Sequence, residues 1–472
     1  MKEVKRMSLK PSDSVASRRI KLLEILATAG CLLFAGVFSY KYLIMPAADP
    51  EHKATKNSVT MQAIEDYMIE GSYLDRNGSL IMGGSAPGEA AEAAYPMNYS
   101  YAWLLGYYSV SGTSENRFAL RGNLYDYTMF TLDDHNTGAT VRLTTENGLQ
   151  NFAYSSILNG MEGSVTVIDN DTGAILCLAS QSTIDYDVND PDTLLLSDVE
   201  GSQYRRGTFE NDPPGSTFKV ITAAAALQMQ EEEDLEDSFF DYNDTGTYVA
   251  EGDSFEIRNW GDYAYGEINL ETALNNSVNC YFAHLGNLVG QDRIAQMAEN
   301  FLIGKEIKIP WLGTIHSVLD FGAGTPGDIA QVSFGQGNTE ITPLQLTMIA
   351  QAIANDGAMM NPYVVESVRL GRLPLYTHIQ RKLNNCITTS VDEKLKTIMH
   401  STAVGYGLDE NYGMVYAKTG SAECPDGRVH TYIMGFTEDA SFCISANNSD
   451  ISYSLYGYAQ QLVAYLNDLY GR

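Results

Sequence analysis

The chain has 472 residues, of which 44% are hydrophobic and 10% aromatic, so it can bury a sizeable core and is not a disordered protein. Its net charge of −29 argues against nucleic acid as a partner, because phosphate binding needs a basic face. The six cysteines form no CxxC pair and the histidines form no HExxH, so we expect no metal site, no cofactor and no dense disulfide framework. A single disulfide bridge among the last five cysteines stays open.

The first 45 residues are typical of a membrane anchor. Residues 1–21 hold seven lysines or arginines against two acidic residues, and residues 22–45 carry only Glu24 and Lys41 as charged side chains. An apolar run of this length can span a bilayer, and the basic flank places residues 1–21 in the cytoplasm. We therefore expect a single-pass cell-membrane protein with a cytoplasmic tail (1–21), a transmembrane helix (22–45) and an extracytoplasmic remainder.

Two other kinds of N-terminal segment fit this run less well. A cleaved signal peptide would end at a small-residue cleavage site, and no Ala-x-Ala sequence closes the apolar run. A lipoprotein signal would end at Cys31, but the apolar residues 32–34 follow where a lipoprotein turns polar.

Residues 46–160 consist of short pieces rich in glycine, asparagine and tyrosine. Asn77-Gly78 predicts a hairpin turn, residues 141–145 alternate as a strand does, and residues 148–158 fit a helix. We interpret this segment as a small, extended, membrane-proximal pedestal domain that is separate from the C-terminal part of the chain.

From residue 161 the pattern becomes that of an α+β domain reaching residue 472. Two strands come early, three come late, and helices lie between them, which predicts one mixed or antiparallel five-stranded sheet flanked by helices. The expected strands are 164–169, 174–179, 414–419, 431–436 and 441–446, and the clearest expected helices are 216–227, 343–353, 391–403 and 455–470.

The stretch from Asp212 to Leu227 carries the first candidate for chemistry. Two prolines and a glycine precede Ser216, and an alanine-rich run follows, which predicts a buried helix with Ser216 in its first turn. Lys219 lies three residues later on the same face. A hydroxyl beside an amine can form an activated nucleophile, but taken alone this spacing fits an ordinary capped helix better.

Three short motifs follow one another along the chain: Ser216-Thr217-Phe218-Lys219, Ser277-Val278-Asn279 and Lys418-Thr419-Gly420. Together they resemble the SxxK, SxN and KTG set of penicillin-binding proteins and class A β-lactamases. Pro213-Pro214-Gly215 and the stretches 71–78, 335–345, 418–423 and 430–436 look like class B penicillin-binding proteins, so the resemblance covers roughly residues 65–472.

The resemblance implies a β-lactamase-like transpeptidase domain and a D,D-transpeptidase that cross-links peptidoglycan stem peptides ending in D-Ala-D-Ala. β-Lactams would inhibit it covalently. A polytopic membrane glycan polymerase would be its partner. No glycan-polymerising domain fits within residues 46–160, which argues against a bifunctional class A enzyme.

The same resemblance assigns a role to each motif residue. Ser216 would be the nucleophile and Lys219 its base, which must be neutral, so burial and the charge of Lys418 should lower its pKa. Ser277 would relay the proton to the leaving nitrogen, while Asn279 would orient Lys219 and the substrate amide. The remaining roles concern substrate binding: Lys418 and Thr419 for the terminal carboxylate, Gly420 for space along the strand, and the backbone N–H groups of Ser216 and Ser421 for the oxyanion.

Proteins with other functions share the same motifs. A D,D-carboxypeptidase or β-lactamase would release the acyl group rapidly, yet we identify no glutamate that would activate water for this step. A non-catalytic β-lactam sensor would need a signalling domain across the membrane, for which 21 cytoplasmic residues leave no room. A scaffold without catalysis would not need the intact motif set.

Overall fold

The computed structural model describes residues 21–23, 25–32, 35, 71–82, 99–105, 138–181, 206–408, 410–423, 429–447 and 455–472. The chain divides into two compact units, residues 1–67 and 68–472. In the first unit, all described residues are helical. Among the described residues, no helix combines the length and hydropathy needed to span a membrane. Much of the predicted anchor (22–45) and nearly all of the predicted tail lie outside the described residues, so both stay predictions.

The strands and helices of the second unit are numbered here in chain order. The strands are β1 (Tyr73–Leu74), β2 (Leu80–Met82), β3 (Thr140–Leu143), β4 (Gly163–Asp169), β5 (Ile175–Gln181), β6 (Tyr242–Asp244), β7 (Thr247–Val249), β8 (Glu256–Arg258), β9 (Gly266–Ile268), β10 (Ile307–Ile309), β11 (Gly313–Ile315), β12 (Ala358–Met360), β13 (Val365–Leu370), β14 (Leu373–Thr377), β15 (Lys382–Asn385), β16 (Tyr416–Glu423), β17 (Val429–Phe436) and β18 (Ala440–Ala446). The α-helices are α1 (Ala102–Leu105), α2 (Asn147–Phe152), α3 (Arg206–Phe209), α4 (Lys219–Glu233), α5 (Leu270–Asn275), α6 (Asn279–Val289), α7 (Gln291–Asn300), α8 (Pro326–Ser333), α9 (Pro343–Ala354), α10 (Thr389–Gly405) and α11 (Tyr456–Tyr470).

The predicted sheet is present, and it is antiparallel throughout. Its order is β16-β17-β18-β4-β5, so the three late strands join the early hairpin through the β18–β4 pair. Strand β16, which carries the KTG motif, lies at the edge of the sheet. One side of this strand's backbone is therefore not covered by a neighbouring strand.

Helices cover both faces of this sheet. Side chains alternate along β17, so that Ile433 belongs to one apolar cluster while Tyr432 and Met434 belong to the other. Helix α9 packs on one face against β4, β17 and β18, and α11 contributes Leu462 to the cluster on the other face. The expected α+β architecture of a sheet between helical layers is confirmed.

Helix α9 begins at Pro343, where the predicted helix 343–353 starts. Thr342 is the N-cap, its side chain accepts a hydrogen bond from the backbone N–H of Gln345 (3.2 Å), and Pro343 occupies the first turn. In a capping box, the Gln345 side chain would bond back to the backbone N–H of Thr342. Here Gln345 Nε2 donates instead to the carbonyl of Leu302 at 2.8 Å. The glutamine thus ties the helix to a neighbouring loop.

A second five-stranded sheet joins chain segments from both sides of residue 160. Its order is β14-β13-β3-β1-β2, in which only the β1–β3 pair is parallel. The turn between β1 and β2 contains Asn77-Gly78, with Gly78 at φ +86°, as the hairpin prediction requires. Parts of the predicted pedestal lie outside the described residues, and the boundary at residue 160 stays a prediction.

Candidate active site

Ser216 lies on a single 3-10 turn, Gly215–Phe218, that leads directly into α4. Gly215 takes φ +55°, a conformation that favours glycine, and it reverses the chain after the two prolines. Ser216 is half-buried, whereas Thr217, Phe218 and Lys219 are buried. Ser216 is therefore the most accessible side chain of this turn. It lies on the 3-10 turn that precedes α4, not in the first turn of the α-helix itself.

Lys219 is fully buried, and its ammonium nitrogen bonds to the SxN motif. Nζ donates to the Ser277 carbonyl (2.7 Å), to Ser277 Oγ (3.1 Å) and to Asn279 Oδ1 (2.7 Å). Burial, and secondly the charge of Lys418, holds the pKa of Lys219 well below its usual value. Both causes are the ones that the sequence predicted.

Ser277 lies in the tight connection between α5 and α6, and Asn279 is the first residue of α6. Ser277 has φ +55°, which is uncommon for a residue other than glycine and marks a backbone held in place by its surroundings. Asn279 Nδ2 donates to the carbonyl of Arg258 at 3.1 Å, which leaves Oδ1 facing Lys219. The orientation of Asn279 is thus set by the β8 segment, which sequence reasoning did not identify.

Lys418 brings a second buried amine to the same place. Its Nζ donates to Ser277 Oγ (3.1 Å), to the Thr419 carbonyl (2.9 Å) and to Tyr406 Oη (3.4 Å). Desolvation by burial lowers the pKa of Lys418 to about 7. The three motifs therefore meet around one atom, Ser277 Oγ, and two amines with depressed pKa values share it.

The role expected for Gly420, space for a peptide along the strand, stays a prediction. A Cβ at this position would lie 2.6 Å from the Pro214 carbonyl and 2.9 Å from Thr217 Cγ2. On the side where a Cβ would stand, the space beside Gly420 is thus filled by the Ser216 turn. The absence of a side chain lets this turn press against β16, so that Ser216 and the exposed Ser421 lie on neighbouring segments.

Two tyrosines at the site lie outside the three motifs. Tyr406 follows α10, and its hydroxyl accepts hydrogen bonds from the Thr419 N–H (3.3 Å) and Oγ1 (3.0 Å) as well as from Lys418. Tyr456, the first residue of α11, stacks on the Tyr406 ring with centroids 4.6 Å apart. Neither position stands out in the sequence, because tyrosine is common along the whole chain.

Neither a metal site nor a disulfide is present among the described residues. Within the described ranges, no group of three His, Cys, Asp or Glu side chains is placed to hold a metal ion. Five cysteines there are free thiols, and Cys424 lies outside those ranges. No disulfide bridge therefore joins any two of the described cysteines.

A family model described as "Penicillin binding protein transpeptidase domain" matches residues 163–462. This chain belongs to that family. All three motifs of the transpeptidase domain lie inside the matched range. The matched range also contains both tyrosines at Thr419 and every strand of the antiparallel sheet that carries the site.

Curated proteins include relatives of this chain. The chain is 30% identical over 314 residues to the peptidoglycan D,D-transpeptidase PbpA of Mycolicibacterium smegmatis, a match that covers 58% of this chain and 60% of that protein. It is 29% identical over 249 residues to the peptidoglycan D,D-transpeptidase MrdA of Acinetobacter baumannii, a match that covers 50% of this chain and 36% of that protein. The chain thus spans less than two thirds of the length of either relative.

Solved structures share the fold. PBPA from Mycobacterium tuberculosis superposes with a TM-score of 0.72 at 24% identity, covering 84% of this chain and 98% of that one. The penicillin G acyl-enzyme complex of penicillin-binding protein A from the same organism gives a TM-score of 0.74 at 24% identity, covering 84% and 100%. The penicillin-binding transpeptidase fold expected from the motifs is confirmed.

Proposed function

We propose that this protein is a serine D,D-transpeptidase that cross-links peptidoglycan stem peptides ending in D-Ala-D-Ala. The observation that carries the proposal is the buried Lys219, whose depressed pKa suits a base and whose hydrogen bonds run to Ser277 and Asn279. The two relatives from M. smegmatis and A. baumannii are both peptidoglycan D,D-transpeptidases, which supports the same activity.

In the acylation step, neutral Lys219 accepts the proton of Ser216, and Ser216 Oγ attacks the carbonyl carbon of the penultimate D-alanine. The oxyanion lies between the backbone N–H groups of Ser216 and Ser421. When the C–N bond breaks, the terminal D-alanine nitrogen receives the proton through Ser277, whose Oγ both lysines contact. An ester of Ser216 and free D-alanine are the products.

In the second step, the amine of a neighbouring stem peptide attacks this ester and forms the new peptide bond, while the proton returns to Ser216. Lys418 and Thr419 bind the carboxylate of the donor peptide. A β-lactam follows the first step only: its ring amide opens, the nitrogen stays attached and the ester persists. Penicillin G forms an acyl-enzyme of this kind with penicillin-binding protein A from M. tuberculosis, the structural neighbour.

Covalent labelling tests the nucleophile. Fluorescent penicillin should label the purified full chain, and Ser216→Ala should abolish the label. Ser156→Ala, which changes an exposed serine on the turn after α2, is the matched control and should label like the wild type. A labelled Ser216→Ala protein, or a wild type that does not label, would contradict the proposal.

Product analysis separates the transpeptidase from a hydrolase. With a D-Ala-D-Ala stem peptide and an amine acceptor, we expect D-alanine release coupled to a cross-linked dimer. Release without dimer would indicate a carboxypeptidase, and rapid loss of the penicillin label would indicate a β-lactamase. A stable label with no turnover of any peptide would indicate a sensor or scaffold.

We also propose that residues 22–45 anchor the enzyme in the cell membrane as a single pass, with residues 1–21 in the cytoplasm and the catalytic domain outside. The charge distribution around the apolar run supports this orientation. Residues 46–160 would act as a pedestal, and a polytopic glycan polymerase would be the partner. Reporter fusions at the two ends of the chain test the orientation, and co-purification from membranes tests the partner; an extracytoplasmic N-terminus would contradict the anchor.

A further inference from the structure

The hydroxyl of Tyr406 lies against the strand that carries the KTG motif. It accepts hydrogen bonds from Lys418 Nζ (3.4 Å), from the Thr419 N–H (3.3 Å) and from Thr419 Oγ1 (3.0 Å). Tyr406 is 8% exposed, so these bonds form largely out of water. One buried oxygen thus receives donors from two consecutive residues of the motif.

Two contacts from α11 hold Tyr406 in this position. The ring of Tyr456 stacks on the ring of Tyr406, with centroids 4.6 Å apart and planes 13° apart, and the Tyr456 side chain also hydrogen-bonds Thr419. Gln460 Nε2 donates to the backbone carbonyls of Tyr406 (3.5 Å) and Gly407 (3.0 Å). Both the ring and the backbone of Tyr406 are therefore fixed by the last helix.

The hydroxyl completes the hydrogen bonding of Lys418. An ammonium group has three N–H donors, and the three acceptors within reach of Lys418 are Ser277 Oγ, the Thr419 carbonyl and Tyr406 Oη. Burial raises the pKa of Tyr406, so the phenol stays neutral when the lysine is charged. Without this oxygen, one N–H of a fully buried lysine would have no partner among these groups.

We propose that Tyr406 is a positioning residue that holds Lys418 and Thr419 in place beside the carboxylate of the donor peptide or of a β-lactam, with Lys418 acting through its positive charge because its three N–H groups are already bonded. A donor pair that is held in place before binding loses less conformational entropy when the ligand arrives. The inference rests on the proposed transpeptidase function, in which this pair binds the carboxylate. It adds a residue outside the three motifs to the binding site.

Tyr406→Phe tests this role because it removes the hydroxyl and keeps the stacked ring. For penicillin G, acylation kinetics separate the dissociation constant of the initial complex, Ks, from the rate constant of acylation, k2. We expect Ks to rise about tenfold, as for the loss of one hydrogen bond to a charged group, while k2 changes by less than about threefold. A purely structural defect would lower k2 and the melting temperature instead.

Tyr101→Phe is the matched control. The hydroxyl of Tyr101 is also buried and also bonds a threonine, Thr145 Oγ1 at 3.2 Å, but it lies on the 3-10 turn Tyr99–Tyr101, outside the three motifs. Tyr101→Phe should lower the free energy of unfolding by about as much as Tyr406→Phe does, and it should leave Ks unchanged. An equal rise of Ks in Tyr101→Phe would overturn the proposal.

A double-mutant cycle shows whether Tyr406 acts through its neighbour. In a Thr419→Val background, the effect of Tyr406→Phe on Ks should shrink, because part of the arrangement it supports has gone. A full-sized effect in that background, or an unchanged Ks in the single variant, would overturn the proposal. Either result leaves the proposed function intact as long as the wild type is acylated at Ser216, whereas a wild type that is never acylated contradicts the proposed function itself.

Discussion

Lys219 and Lys418 donate to the same atom, Ser277 Oγ, each at 3.1 Å. Both lysines are fully buried, and two like charges this close in a desolvated site disfavour each other. Their protons therefore come off as a coupled pair, and at neutral pH a state with one neutral amine is favoured. This arrangement lets one of the two lysines serve as the base.

The depressed pKa of Lys418 predicts how stability depends on pH. Lys418 has a pKa of about 7 in the folded protein and of about 10.5 in the unfolded chain, so between these values the unfolded state binds more protons. Stability should therefore rise with pH across this window. Lys418→Met should reduce the slope by up to about 1.4 kcal/mol per pH unit, measured by urea unfolding from pH 7 to 10.

Lys396→Met is the control for this slope. Burial disfavours the charge of Lys396, but hydrogen bonds to Asp356 and Asp392 outweigh burial and raise its pKa. Its stabilising effect is therefore present below the unfolded pKa and is lost only at higher pH. Lys396→Met should therefore keep the wild-type rise in stability between pH 7 and 10. An unchanged slope in Lys418→Met would show that the buried amine does not titrate as described.

The sequence predicted the site better than its surroundings. Motif order and spacing were enough to select Ser216, Lys219, Ser277 and Lys418 as candidates, because both are visible in the sequence without any knowledge of how the segments pack. Tyr406 could not be found, since it reaches Thr419 only through the way α10 ends and α11 stacks on it. Such a contact between distant segments leaves no local pattern.

The same limit applies to the fold. Strands β4, β5, β17 and β18 were predictable because their buried runs are bounded by turns, as at Asp171-Thr172-Gly173. The pairing of β3 with β13 joins residues about 220 apart in the sequence, and short strands such as these carry too little periodicity to reveal their partners. The packing of the Ser216 turn against Gly420 was not predictable for a related reason, since this turn comes from a different part of the chain.

Ser277 combines a strained backbone with a shared hydroxyl, and two substitutions separate these properties. Ser277→Ala and Ser277→Gly both remove the proton relay and should slow penicillin acylation by about 10²- to 10⁴-fold. Only glycine relieves the φ of +55°, so the glycine variant should be more stable than the alanine variant by about 1 kcal/mol. Stopped-flow labelling and urea unfolding measure the two effects, and equal stability of the pair would argue against backbone strain.

Gly420 should tolerate no side chain. In Gly420→Ala the new methyl group would meet the Pro214 carbonyl at 2.6 Å, so the Ser216 turn must move away from β16. We expect a loss of about 1–3 kcal/mol in stability and a strong loss of acylation. Gly457→Ala is the control: its Cβ would meet nothing within 4 Å in α11, so stability should be equal or slightly higher. Wild-type acylation by Gly420→Ala would contradict the close approach.

Arg206 is buried and forms two ion pairs with carboxylates that are only partly exposed. Its guanidinium lies 2.6 Å from Glu162 and 2.6 Å from Glu210, and only 6% of its side chain is exposed. Arg206→Ala leaves both carboxylates without this partner, and removing one member of a buried pair costs about 3–5 kcal/mol. Urea unfolding at pH 7 measures the loss.

The pH dependence of this loss shows where it comes from. Burial already raises the pKa of Glu210, and Arg206 opposes that rise, so the variant should raise this pKa further. A raised carboxyl pKa lets the folded state take up a proton more readily than the unfolded chain, so the deficit of Arg206→Ala should shrink from pH 7 to pH 5. Arg258 also pairs with two carboxylates, but all three groups are exposed, and Arg258→Ala should leave stability unchanged within error. A comparable loss in both variants would mean that burial does not set the strength of these pairs.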